Sequence, residues 1–383
     1  MRSMFLVVVV AVVAACGPAQ PAADGRAEVV AQYAALVHTR YEDAVAQATA
    51  LEAKVKAFVQ DPSAERLEAA KQAWLAARPS YLRTEAFRFY GGPIDDEANN
   101  YEGQINSWPL DENFIDYVQG DLGAGLVNNP SMMPSITIDA MAAHNQKDKE
   151  TQVSTGWHAI EFLLWGQDLS DTGPGARPFS DYVSGQGGTA ANQDRRRQYL
   201  ALVTTKLVAD LEAVELQWNV DDPKSYGAAF VADDPQKSLE KIFTGLGQLS
   251  FTELGGERLA AAYKSKDQED EHSCFSDNTH WDFVYDQLGI VEAYKGIIDG
   301  KDGPGLDGLL KAKNRKLHDT LEAQLAATTK AYDAVPQPFD QALKGDDASP
   351  GRVAMKASLD AVRAQGESLA VAATELGLTI SLQ

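Results

Sequence analysis

The chain has 383 residues, with 34 basic and 55 acidic side chains and a formal net charge of −21. A chain this acidic is not expected to bind nucleic acid or the anionic surface of a membrane, because both attract basic proteins. It is expected to attract cations, although many extracytoplasmic proteins are acidic for solubility alone.

The first sixteen residues have the pattern of a secretory signal, with Arg2, then an apolar run, then small residues ending at Cys16. The apolar run is too short for a permanent membrane-spanning helix. The tetrad Val13-Ala14-Ala15-Cys16 resembles the lipobox of bacterial lipoproteins, which implies cleavage before Cys16 and lipid attachment to it. An ordinary signal peptide that happens to contain a cysteine is the alternative. Residues 1–15 are thus predicted to be a signal peptide and residues 16–26 a lipidated tether.

Gly17 follows the cysteine, which resembles the pattern of lipoproteins sent to the outer membrane. We therefore expect the mature protein in the periplasm of a Gram-negative bacterium, held at the outer membrane by its lipid alone. Cys274 is then the remaining thiol, so no internal disulfide is predicted and the fold depends on its core.

Apolar residues recur every three or four positions along most of the remaining chain, which predicts helices, and no alternating strand pattern stands out. Pro79 is expected to kink the second helix. The predicted helices cover 27–59, 64–89, 111–119, 148–165, 192–218, 235–265, 280–298, 308–334 and 351–376.

The stretch 166–190 is dense in Gly, Pro, Ser and Asp. This composition is typical of a domain boundary or of a long loop that borders a site. Taken as a boundary, it separates an N-terminal helical bundle over 27–180 from a C-terminal bundle over 191–383. The predicted fold is therefore all-α, with two helical bundles.

A histidine and a carboxylate lie three residues apart in an apolar stretch, at His158 and Glu161. On a helix both project from one face. Burying them costs free energy unless they satisfy each other or bind something. Two interpretations stay open: a structural hydrogen-bonded pair, which is common, or two ligands of a metal ion, since imidazole and carboxylate together suit iron and also zinc.

A second group of acids and histidines lies at 267–280. Glu269 and His272 are three residues apart, and Asp277 and His280 have the same spacing. The Glu-x-x-His arrangement is how di-iron carboxylate proteins present ligands to the core of a helical bundle. A solvated acidic loop is the alternative, but the histidines and apolar residues among the acids favour a functional site.

Glu85 lies in an aromatic stretch, so its carboxylate, if buried, needs an arginine or a metal as its partner. Several other site types are excluded, because the chain has no His-Glu-x-x-His, Gly-x-Ser-x-Gly or phosphate-binding glycine loop, and too few cysteines for an iron–sulfur cluster. His158 and Glu161 completed by His272 would match the three ligands of carboxypeptidase-type zinc enzymes. Those enzymes have mixed α/β folds, which this sequence does not predict.

The stretch Gly156-Trp157-His158-Ala159-Ile160-Glu161 fits the Gly-x-His-x-x-Glu signature of the imelysin family. Its continuation to Asp168 resembles the iron-regulated lipoprotein branch of that family. Four further stretches resemble the same branch, at 83–87, 108–111, 173–178 and 267–280. The resemblance covers essentially the whole mature chain.

This resemblance implies two four-helix-bundle-like domains packed together, with a site at their interface that includes His158 and Glu161. It also implies an extracytoplasmic protein of bacterial iron uptake. The predicted cofactor is a metal ion, with iron preferred and zinc as the alternative. The candidate metal ligands are His158, Glu161, His272, Glu85, Glu269 and His280.

Three functions compete. The leading hypothesis is an iron-acquisition lipoprotein that binds a metal ion or an iron chelate between its bundles. The second is a zinc-dependent metallopeptidase, the label that the family carries, in which Glu161 would activate metal-bound water. The third is a non-catalytic interaction protein that serves an outer-membrane or periplasmic uptake partner. Enzymatic activity stays open, and a binding protein is favoured.

Overall fold

The computed structural model of the protein describes residues 24–170 and 172–382, so the predicted signal peptide and Cys16 lie outside the described residues. The described helices are α1 (Arg26–Gln60), α2 (Ala64–Leu82), α3 (Tyr101–Ile105), α4 (Glu112–Ile115), α5 (Gly125–Asn128), α6 (Ile138–His144), α7 (Gly156–Trp165), α8 (Gln193–Trp218), α9 (Tyr226–Ala232), α10 (Pro235–Gln248), α11 (Leu259–Ser265), α12 (Thr279–Lys295), α13 (Leu306–Lys313), α14 (Arg315–Asp333), α15 (Phe339–Leu343) and α16 (Pro350–Glu375). Between α10 and α11 the chain is π-helical over Leu249–Arg258.

The all-α prediction is confirmed. Within the described ranges the chain forms no β-strand, only two isolated bridges. No helix in these ranges is long and apolar enough to cross a bilayer.

The helix α1 is central to the N-terminal half of the fold. Its apolar side chains, spaced three and four residues apart as in Val30, Tyr33 and Val37, are buried. They face α2 and α8, which pack along α1, and α7 packs against both α2 and α8. The 3.6-residue period that predicts α1 from the sequence therefore also dictates which face it buries.

A second group of helices consists of α12, α14, α16 and the π-helical segment. α16 packs against α14 and the π-helical segment, and α12 contacts α14 on one side and α2 on the other. Gly289 allows the contact with α2, because a Cβ at this position would lie 2.4 Å from the carbonyl oxygen of Arg83. The buried apolar residues of both groups form one continuous core.

The segment 166–190 is packed against the rest of the fold. The Arg177 amide donates to Trp165 O at 2.7 Å, and the Gly175 amide donates to Phe275 O at 2.9 Å. The helix that follows, α8, packs along α1 and α7. The predicted division at 180 and 191 assigns α8 to the C-terminal bundle, whereas the structure packs it with the N-terminal helices.

Some helix bounds differ from the prediction for local reasons. α7 begins at Gly156 rather than at 148, since Gly156 has a φ of +83° and the preceding residues form turns. The predicted helix 308–334 is divided at Asn314, whose side chain accepts a hydrogen bond from the Leu317 amide and caps α14. The predicted helix 235–265 is continuous but is π-helical in its middle.

Replacing Gly156 by alanine is expected to destabilise the protein. The added Cβ would lie 2.3 Å from Ile105 O, at a φ that side chains rarely adopt. We expect Gly156→Ala to lower the free energy of unfolding by about 2–4 kcal/mol. Gly308→Ala is the control, because nothing lies within 4 Å of its Cβ position. Urea unfolding that shows equal stability for both variants would contradict this account of the signature glycine.

Candidate functional site

The signature residues His158 and Glu161 are buried on α7, with relative exposures of 1% and 0%. The close approach of Gly156 to Ile105 brings the N-terminus of α7 against α3. Within α7 the helical spacing puts both side chains on one face, as the sequence predicts.

The two signature side chains are bonded to each other. Nδ1 of His158 lies 2.9 Å from Oε2 of Glu161. The other oxygen of Glu161 accepts hydrogen bonds from the Ser276 amide at 3.0 Å and from the Ser276 hydroxyl at 2.6 Å. The segment 267–280 therefore closes over α7 and fixes the carboxylate.

A second histidine–carboxylate pair lies beside the first. Nδ1 of His272 is 2.7 Å from Oδ2 of Asp282, which also accepts from the Ser273 hydroxyl at 2.6 Å. Asn278 donates to Oδ1 of Asp282 at 3.0 Å. The rings of His158 and His272 are 4.7 Å apart between centroids. The two clusters that the sequence singles out thus meet in space.

The guanidinium of Arg78 lies between the two pairs. Its Nη2 is 3.3 Å from His158 Nε2, 3.4 Å from His272 Nδ1 and 3.3 Å from Asp282 Oδ2. Its Nη1 donates to Oδ1 of Asn106 at 2.6 Å. Arg78 is fully buried. A permanent positive charge therefore occupies the point on which the histidines converge.

This arrangement determines which histidine nitrogens carry protons. A guanidinium can only donate, so His158 Nε2 accepts from Arg78, and His158 Nδ1 donates to Glu161 when Glu161 is ionised. His272 Nδ1 lies closer to Oδ2 of Asp282, at 2.7 Å, than to Nη2 of Arg78, at 3.4 Å, and donates to the carboxylate. His272 Nε2 is then an acceptor, and it makes no hydrogen bond with any described residue.

The pKa values of these groups are shifted by burial. Burial and the charge of Arg78 hold the pKa of His158 well below its ordinary value. Burial and the charges of Arg258 and Arg78 do the same to the pKa of His272. Burial raises the pKa of Glu161 to about 8, although the hydrogen bonds from Ser276 oppose this. Both imidazoles are therefore neutral, and Glu161 can exchange a proton near neutral pH.

Glu85 belongs to an ionic network next to these pairs. Its Oε2 accepts from Arg88 at 2.7 Å and from Arg258 at 2.6 Å, and these charges keep its pKa low despite burial. Arg258 also pairs with Asp286 at 3.1 Å and, across the π-helical segment, with Glu253 at 2.8 Å. Five-residue spacing puts Glu253 and Arg258 on one face of a π-helix.

A polar cavity of about 170 Å³ borders this network. Among its lining residues are His272, Asn106, Arg88, Arg258 and Glu253. Within the described part of the chain, Nδ2 of Asn106 and Nε of Arg88 are buried without a hydrogen-bond partner, and Nε2 of His272 makes no hydrogen bond. Buried polar groups normally have partners, so the cavity is suited to a ligand that supplies them.

The six predicted ligands are not all assembled. His158, Glu161 and His272 come together, whereas Glu85 pairs with Arg88 and Arg258 and is not bonded to these three residues. Glu269 lies in a 3₁₀ turn, where burial and neighbouring acids raise its pKa to about 7. His280 is in the first turn of α12 against Trp281. Neither Glu269 nor His280 is bonded to the histidine pairs.

The sequence reasoning missed Arg78, Asp282 and Asn106. Arg78 follows Trp74 by four residues on the buried face of α2, so a charged side chain stands at a core position of the helical pattern. That conflict is a signal which single-sequence reading can detect. Asp282 and Asn106 have no comparable signal, because only the fold brings them to Arg78.

The residues in this arrangement do not fit a bare metal ion at the predicted position. Zinc or iron would have to lie about 2.0–2.2 Å from nitrogen and oxygen ligands. Both nitrogens of His158 and Nδ1 of His272 face Arg78 or are hydrogen-bonded to carboxylates, so an ion shared by the two histidines would have to take the place of Arg78. A cation would therefore have to displace a guanidinium of like charge.

The family model described as imelysin matches residues 37–369. A relative, iron-regulated protein A of Synechococcus elongatus, is 25% identical over 342 residues, which cover 86% of this chain and 80% of the relative.

Two solved structures share the fold. One, assigned to an iron-regulated protein A precursor of Parabacteroides distasonis, has a TM-score of 0.71 at 20% identity and covers 94% of this chain and 97% of that one. The other, an imelysin-like protein of Psychrobacter arcticum, has a TM-score of 0.65 at 16% identity with the same coverages.

Removing the central charge is expected to destabilise the protein strongly. Arg78→Met leaves Asp282 buried without its cation, which costs about 3–5 kcal/mol of unfolding free energy. The double variant Arg78→Met/Asp282→Asn should recover part of this loss. Arg66→Met on the same helix removes an exposed ion pair with Asp61 and should cost less than about 1 kcal/mol. Equal losses in chemical denaturation for Arg66→Met and Arg78→Met would contradict the central role of Arg78.

The imidazoles of His158 and His272 are expected to stay neutral through the pH range in which an ordinary histidine titrates. Their pKa values are lowered, so protonation of the folded protein requires a more acidic solution than an ordinary histidine needs. Long-range ¹H–¹⁵N NMR should show both rings neutral across that range. Titration of either ring near pH 6.5 would refute this assignment.

Proposed function

The chain belongs to the imelysin family, and we propose that it serves iron acquisition outside the cytoplasm by binding an iron-bearing ligand at the polar cavity beside His272. Its similarity to iron-regulated protein A supports the connection with iron. The secretory pattern that ends at Cys16 supports the extracytoplasmic location.

The observation that carries this proposal is the set of unpaired nitrogens around one cavity. Arg88 Nε and Asn106 Nδ2 are donors, and His272 Nε2 is an acceptor. An oxygen-rich chelator with carboxylate and hydroxyl groups would satisfy both kinds of group. At about 170 Å³ the cavity has room for a compact chelate or for one arm of a larger one.

The charge of Arg78 favours a chelate over a bare ion. A chelator surrounds iron with its own oxygen atoms and can carry net negative charge, so it requires no displacement of the guanidinium. In this proposal His158, Glu161 and Asp282 hold Arg78 and His272 in place, and His272 contacts the ligand. The signature residues therefore still serve ligand binding, as the sequence predicts. In this proposal they position Arg78 and His272 instead of ligating a metal ion directly.

Delivery to an uptake partner is the remaining part of the proposal. A lipid on Cys16 would keep the protein at the membrane surface, where an outer-membrane or periplasmic transport component could receive the iron. The metallopeptidase alternative gains no support from the geometry, since the described residues around His158 provide no open metal position for an activated water.

Binding of ferric citrate by the purified protein tests this function. We expect saturable binding by calorimetry, weakened at least about tenfold in His272→Gln, which removes the free acceptor at the cavity. His144→Gln, at a histidine on α6 outside the cavity, should bind like wild type. The thermal midpoint of each variant shows whether it is folded.

Two results would contradict this proposal. The first is wild-type protein that binds neither ferric citrate nor another ferric hydroxycarboxylate. The second is a pair of observations. Ferric citrate binding is unchanged in His272→Gln, and the bare iron ion binds to the wild type but not to a folded Glu161→Gln variant.

A further inference from the structure

A second set of metal-ligating side chains lies where α1 and α8 pack together. His38 and Glu42 are four residues apart on α1 and therefore share one face. Glu215 is on α8, which packs along α1. The three side chains are 25%, 58% and 17% exposed, respectively, so an ion from solution can reach them.

These three side chains lie close together, with Glu215 and Glu42 facing different nitrogens of the His38 ring. His38 Nε2 is 2.6 Å from Oε1 of Glu215, and His38 Nδ1 is 3.8 Å from Oε2 of Glu42. One ligand atom from each residue lies within 4.8 Å of the others. Atoms bound to one Zn²⁺ at about 2.1 Å are at most about 4.2 Å apart. Small side-chain rotations would therefore complete the set.

The present contacts do not satisfy these groups. His38 Nε2 is shielded from solvent and has no hydrogen bond of acceptable geometry, in spite of its short distance to Glu215. Among the residues that the structure describes, neither Glu42 nor Glu215 pairs with a lysine or an arginine. No lysine or arginine therefore offsets these two carboxylate charges, in a chain whose net charge is −21.

We propose that His38, Glu42 and Glu215 bind a first-row divalent transition metal ion and thereby link α1 to α8. One imidazole and two carboxylates suit Zn²⁺ and its neighbours in the series, whereas Ca²⁺ and Mg²⁺ prefer oxygen ligands alone. Three protein ligands leave one position for water. None of the three residues lines the polar cavity or contacts Arg78, so this site is independent of the proposed function.

Two properties distinguish this site from the histidine pairs on α7 and α12. No guanidinium is bonded to its ligand atoms, and its side chains are partly exposed. An ion that holds α1 against α8 binds the folded state and not the unfolded chain, so it should raise the unfolding temperature.

Titration of the metal-free protein with Zn²⁺ tests the proposal. We expect one Zn²⁺ per chain, and a weakening of at least about tenfold in His38→Ala and in Glu215→Gln. Glu212→Gln is the matched control, because Glu212 is an exposed acid one turn away on the same helix. His272→Gln should retain this Zn²⁺ site, which separates it from the proposed cavity.

Cobalt provides a second readout. Co²⁺ bound by one histidine and two carboxylates should give visible absorption bands that His38→Ala removes and Glu212→Gln keeps. All three side chains are partly exposed, so each variant is expected to fold. Thermal unfolding without metal checks this. Absence of Zn²⁺ binding in wild type would overturn the proposal and leave a plain His38–Glu215 ion pair. Binding that survives His38→Ala would also overturn it.

Discussion

The buried charge of Arg78 is the constraint on which the rest of the site depends. An unpaired guanidinium in a protein interior would cost several kcal/mol. The chain supplies Asp282, His158 and Asn106 as its partners from three other elements. The aromatic rings of Trp74, Tyr81 and Trp157 surround it within 6 Å of their centroids. The site therefore forms only when α2, α7, α12 and the segment before α12 are packed.

This dependence explains why a signature on one helix requires a whole fold around it. Glu161 is held by Ser276, and His272 is held by Asp282, so the segment 267–280 is fixed by both histidine pairs. Gly289 lets α12 approach the end of α2, and Gly156 lets α7 approach α3. The π-helical segment adds Glu253 and Arg258 to the wall of the cavity. Packing, charge pairing and the shape of the cavity are consequences of the same contacts.

Much of the fold could be predicted from the sequence, because apolar spacing determines helices such as α1, α8 and α16 directly. The pairing of His158 with Glu161 also followed from helical spacing. What could not be predicted depends on long-range packing. The partners of Arg78 are far apart in sequence, and the short helices between α2 and α7 lack a clear period. Glu269 and His280 each belong to a pair with the three-residue spacing of a ligand motif. The chain turns before α12, however, and separates both residues from the histidine–carboxylate pairs of the site.

The central claim is that Arg78, and no metal ion, occupies the space between His158 and His272. Anomalous diffraction from crystals soaked in Zn²⁺ or Fe²⁺ tests it most directly. The account predicts no anomalous peak within bonding distance of His158 or Glu161, with Arg78 still between the histidines. A peak bonded to both His158 and Glu161, with the Arg78 side chain turned away, would contradict it.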